Sequence, residues 1–138
     1  MNRQAYIFLN SARVLHWEWL SLKAKHDELE SCLLPVGIRY DRDKVQTSPT
    51  DPMAKIVAEV MELEKEMNRV QMNRAKQIEK ISKAISALKC AEERTALSMR
   101  YINGISVKKI AITMKYSEKR IYQFMDRGGA QIAKGLKD

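Results

Sequence analysis

The stretch Ser106-Val107-Lys108-Lys109-Ile110-Ala111-Ile112-Thr113-Met114-Lys115-Tyr116-Ser117-Glu118-Lys119-Arg120-Ile121-Tyr122-Gln123-Phe124 decides the reading of this chain. Ser106 and Ser117 each stand just before a helix-forming run, where a hydroxyl can accept from an unpaired amide of the first turn. Only Lys115-Tyr116 and the second cap separate the short run Val107 to Met114 from the one that opens Glu118-Lys119-Arg120-Ile121. Two capped helices joined by so tight a turn must cross steeply, the geometry of a helix-turn-helix. Ile110, Ala111, Met114, Tyr116, Ile121 and Phe124 fall at offsets that face inward on such a crossing. Ala111 takes the point of closest approach, where a larger side chain would push the helices apart.

Lys119, Arg120, Tyr122, Gln123 and Arg127 are left facing outward on the second helix. Arg and Gln can make paired hydrogen bonds to guanine and adenine edges in the major groove, and lysines neutralise phosphate. With Lys108, Lys109, Ser117 and Glu118 at the two helix starts, they make a candidate surface for double-stranded DNA. A two-helix core with a solvated face would explain the apolar spacing. It would not explain both caps, the alanine and the outward cations together. The turn calls for a left-handed residue, and Lys115 stands there instead of glycine, at a cost of about 1–2 kcal/mol. Gly128-Gly129 should break or loosen the second helix after Arg127, since each glycine costs about 1 kcal/mol against alanine.

A helix from Ala91 to Ile102 is expected upstream, stopped by Asn103-Gly104. Before it lies a long helix over residues 53–87, with Asp51 as its cap and Pro52 at the first helical position. Its apolar seam runs Ile56, Val60, Leu63, Met67, Val70 and resumes at Ile78, Ile81, Ile85 and Leu88. Arg74 falls where an apolar residue is due, and the register slips near Gln77. Glu59, Glu62, Glu64 and Glu66 make the first half acidic. Six basic residues from Arg69 to Lys89, against Glu79 alone, make the second half basic and a candidate for phosphate contact.

Residues 1–34 read as one amphipathic helix. Ala5, Phe8, Ala12, Leu15, Trp19, Leu22, His26, Leu29 and Leu33 alternate spacings of three and four, a heptad seam. Tyr6, Ile7, Trp17 and Leu20 widen its apolar face, which suggests more than one packing neighbour. His26 reads as a polar residue tolerated on the seam. Pro35 and Gly37 are expected to end this helix and open an irregular connector, residues 35–52, in which Tyr40 to Pro49 lacks the glycine pattern of a phosphate loop. The two long helices are expected to form a homo-oligomer, most simply a dimer. Residues 88–138 form the DNA-binding head, so the predicted fold is all-α: two long coiled-coil-like helices followed by a helix-turn-helix.

Composition bounds the function. The chain has 138 residues, few glycines and prolines, and a formal charge of +8. Ten Lys and Arg against five acids fall in residues 91–138, so the charge concentrates in the head. A basic head suits a polyanionic partner. Cys32 and Cys90 match neither a disulfide framework nor a zinc spacing, and the two separated histidines add no ligand cluster, so no metal or cofactor is expected. No signal peptide and no bilayer-spanning run is read, which points to the cytoplasm of a bacterial host, associated with the nucleoid.

From Leu88 to Ile132 the chain resembles region 4 of bacterial sigma factors. Glu93-Arg94, Leu97, Arg100-Tyr101, Gly104 and Ser106 match one of that family's runs, and Ile110-Ala111, Ser117 and Ile121 match its later elements. Arg127 falls on a commonly basic position. The layout also resembles small phage regulators of the ArpU and RinA type, which activate late genes. The resemblance implies promoter recognition, with host RNA polymerase as the candidate partner. No counterpart of the promoter-melting region 2 is present, which favours an activator or sigma-like accessory factor over a stand-alone sigma. The alternative is a small terminase subunit, which joins a helix-turn-helix to oligomerising helices for DNA packaging. Its head usually lies at the N-terminus, which weighs against it. No nucleophile with a base and no paired acids stand out, so an enzyme is not expected.

Overall fold

The computed structural model describes residues 1–43 and 51–137, and these are all-α. Helix α1 spans Arg3–Asp43, α2 Pro52–Ser86, α3 Ala91–Leu97, α4 Val107–Met114 and α5 Glu118–Lys137. The chain divides into two compact units, Met1–Val14 with Arg74–Asp138, and Leu15–Asn73.

In the unit Leu15–Asn73 the heptad seam of α1 meets α2. Leu15, Trp19, Leu22, Leu29 and Leu33 are half-buried, as are Ile56, Leu63 and Met67 of α2, while Val60 and Val70 are buried. His26, expected to be merely tolerated, is 7% exposed and joins the two helices. Its Nε2 lies 2.9 Å from Glu64 Oε2 and its Nδ1 3.2 Å from Asp27 Oδ1. Those hydrogen bonds, Glu64 first, raise its pKa above the usual imidazole range against the effect of burial. Asp51 caps α2, its Oδ1 accepting from the Met53 amide at 2.9 Å, which leaves Pro52 in the first turn where no amide is required.

The α1 boundary differs from expectation. The helix does not stop at Pro35 but continues through Gly37 to Asp43, so the Tyr40 end of the predicted connector is helical. Proline removes a single backbone bond and its fixed φ lies in the helical range, so it kinks or weakens a helix, at about 3 kcal/mol, without obliging it to end. Lys44 to Thr50, the rest of that connector, lie outside the described residues.

In the other unit, Leu9 and Ala12 of α1 share a core with Ile81, Ile85 and Leu88, with Ala96 and Leu97 of α3, and with α4 and α5. Arg74 does not break α2, which stays continuous through Gln77. Its Nε is buried and has no hydrogen-bond partner among the described residues. The helix expected from Ala91 to Ile102 forms as α3 followed by a π-helical turn, Ser98–Ile102. The Asn103 amide reaches Ser98 O at 3.1 Å, and Gly104 takes a φ of +70°, open to glycine at no steric cost. Arg94 Nη1 donates to Leu88 O at 2.6 Å, tying α3 to the end of α2.

Helix α5 corrects a second expectation. It runs unbroken through Gly128-Gly129 to Lys137. Both glycines are buried, and the reason for them is room: a Cβ on Gly128 would stand 2.6 Å from Leu97 Cδ1, and one on Gly129 2.9 Å from Met1 Cγ. The lost helix propensity is offset because the backbone of α5 can lie directly on its neighbours, burying Ile132 and Ala133 beyond the pair.

Candidate nucleic-acid interface

Both serine caps form. Ser106 Oγ accepts from the Lys109 amide at 3.3 Å and Ser117 Oγ from the Arg120 amide at 3.1 Å. Between them Lys115 adopts the left-handed conformation, φ 62° and ψ 41°, and the amide of Tyr116 closes back on Ala111 O at 3.1 Å. The turn is therefore made by a strained lysine, at about 1–2 kcal/mol, and the packing beneath it holds the conformation.

That packing is the set expected from spacing, with one change. Ile110, Ala111, Ile121 and Phe124 are buried and Met114 is half-buried. Tyr116 is exposed, lying edge-on to the Phe124 ring at 5.0 Å with its other side in solvent. Tyrosine can cover a core while its hydroxyl stays wet, so an inward offset does not bury it.

Of the candidate contact residues, Lys108, Lys109, Ser117, Glu118, Lys119, Tyr122 and Arg127 are exposed. Arg120 and Gln123 are half-buried, one turn apart on α5. Arg120 Nη1 donates to Gln123 Oε1 at 3.0 Å, and the guanidinium lies 4.8 Å from the centre of the Phe124 ring. A guanidinium held over a ring keeps a fixed orientation with other donors still free. Glu92, at the start of α3, has its carboxyl held below the usual range, chiefly by the Cys90 thiol, which donates to it at 3.1 Å, and then by its own backbone; Arg120 and Arg94 add to this. The two residues expected to read bases thus form one hydrogen-bonded pair.

The sequence marks Lys115 only as a turn residue. Its left-handed backbone exposes a further cation between α4 and α5. A polar residue at a tight turn was the available signal. Lys76, Lys80 and Lys89, in the basic stretch of α2 and just after it, are also exposed. Among the described residues no helix is long and apolar enough to cross a membrane.

Residues 36–132 match the family described as "protein of unknown function (DUF1492)". The chain belongs to this family. The family's span takes in α2 through most of α5, and so includes every candidate contact residue. No curated protein and no solved structure matches the chain.

Proposed function

We propose that this chain is a sequence-specific, double-stranded-DNA-binding transcription regulator, a phage late-gene activator or sigma-like accessory factor working with host RNA polymerase, and not an enzyme. One observation carries the reading. Helix α5 has Ile121, Phe124 and Met125 locked in the core, and its opposite side presents Lys119, Tyr122 and Arg127 beside the Arg120–Gln123 pair. A capped helix fixed on one side, with cations and amides on the other, suits insertion into the major groove: Arg120 and Gln123 meet base edges, and Lys108, Lys109 and Lys119 meet phosphates. The resemblance of residues 88–132 to sigma region 4, and of the layout to ArpU and RinA regulators, supports promoter recognition as the purpose of that binding.

A single head offers few base-reading side chains, and such modules bind weakly alone. A second copy or a polymerase contact supplies the rest. Val57, Met61 and Met72 of α2 are exposed apolar residues, which supports a homodimer formed through α2. The test pairs two assays. Purified protein is expected to raise transcription from a phage late promoter with host holoenzyme and to leave DNA packaging unchanged. No effect on any phage promoter, together with stimulated packaging, would replace this reading with that of a small terminase subunit.

A further inference from the structure

We propose that His26, Glu30 and Glu64 form a binding site for one divalent transition-metal ion of the zinc type, a role the sequence pattern did not suggest. The site lies within the unit Leu15–Asn73, to which none of the candidate DNA-binding residues belongs, and does not depend on the DNA-binding reading. His26 and Glu30 stand four residues apart on α1, so both project from one side of the helix, and Glu64 arrives from α2. Nε2 of His26 lies 2.9 Å from Glu64 Oε2 and 3.8 Å from Glu30 Oε2, and one donor atom from each residue falls within 4.8 Å of the others. Donors held at zinc-ligand distances in a tetrahedral site stand about 3.3 Å apart. The two separations from His26 bracket that value, so adjustment of the exposed glutamate side chains would close the set.

Two further features fit a cation. Asp27 Oδ1 lies 3.2 Å from Nδ1 of His26. A carboxylate accepting from Nδ1–H fixes the tautomer and aims the Nε2 lone pair at the two glutamates, the outer-shell arrangement of histidine metal sites. Charge is also in excess. Lys23 engages Asp27, and among the described ion pairs Glu30 and Glu64 have only His26 opposite them. The imidazole is buried and fixed, whereas both glutamates are more than half exposed and free to adjust, which leaves the fourth position to water. An ion held there would clamp α1 to α2 and stabilise this unit by mass action.

The experiment uses the full chain, stripped with EDTA, then titrated with Zn2+ by calorimetry and with Co2+ by visible absorption. One ion per chain, a tetrahedral Co2+ band and a raised unfolding temperature with Zn2+ are expected. Glu30→Gln and Glu64→Gln change exposed side chains and should keep the helical circular dichroism. Each should weaken binding about tenfold or more, and Asp27→Asn should weaken it about 10–100-fold through the imidazole. The proposal is overturned by no heat and no Co2+ band at stoichiometric metal. It is equally overturned by binding that survives both glutamine variants, which would put the ion elsewhere. An unfolding temperature that responds to pH but not to Zn2+ would leave His26 as a proton-carrying ion-pair partner and also overturn it.

Discussion

Arg120 donates to Gln123 Oε1 at 3.0 Å across one turn of α5, so the two residues expected to read bases are energetically joined before any DNA arrives. Arg120→Ala and Gln123→Ala should each reduce affinity for the preferred site by about 1–3 kcal/mol and relax base preference there. The double variant should lose less than the sum, because each single change already disturbs the shared pair. Fluorescence anisotropy on the cognate duplex and on scrambled duplexes checks this. Wild-type affinity in both single variants would remove this side of α5 from the interface.

Lys108 and Lys109 make no side-chain hydrogen bond or ion pair among the described residues, and both are exposed at the start of α4. Changing either to alanine should weaken binding to all sequences alike. The slope of log K against log salt should fall by about one unit for each phosphate that is no longer neutralised. A weakening confined to the cognate sequence would reassign that lysine to base recognition.

Two glycines of α5 should respond in opposite directions. Gly135 has nothing within 4 Å of an added Cβ, so Gly135→Ala should stabilise by about 0.4–1 kcal/mol through the unfolded chain. At Gly128 the same change meets the fully buried Leu97 at 2.6 Å. Overpacking there costs about 1–3 kcal/mol and outweighs the helix-propensity gain of about 1 kcal/mol. Denaturant unfolding of the two variants compares the signs. Stabilisation by Gly128→Ala would show that α3 and α5 have slack between them.

Val70 is buried within a single chain and Met61 and Met72 are exposed, which moves the proposed dimer contact off the heptad seam. Light scattering of the wild type at micromolar concentration should give a dimer. Met61→Glu with Met72→Glu should give a folded monomer, whereas Val70→Asp should unfold the unit by burying a charge. A wild-type monomer would confine the seam to pairing α1 with α2 inside one chain.

Much of the molecule is written locally. Asp51 with Pro52, Ser106, Ser117 and Asn103-Gly104 punctuate helices through hydrogen bonds and backbone preferences that span a few residues. The apolar periods of α1 and α2 pick out the side chains that become buried or half-buried. The position of Lys115 follows in the same way, since the turn needs a left-handed residue whatever its neighbours are. The cations of the candidate interface were legible too, because what the inward period omits must face out.

Tertiary structure decided what depends on partners distant in the chain. Gly128-Gly129 read as a break because helix propensity counts only the isolated backbone, and Leu97 and Met1 turn them into a packing surface. Pro35 read as a stop, yet its fixed φ lies in the helical range and α1 continues to Asp43. His26 looked like a tolerated polar residue until Glu64, 38 residues away, came within 2.9 Å of it. Arg120 and Gln123 looked like independent readers, and the Phe124 ring beneath Arg120 helps make them one group. Period and capping act over single turns and can be read along the chain, whereas close approach, charge pairing and burial depend on which turns the fold brings together.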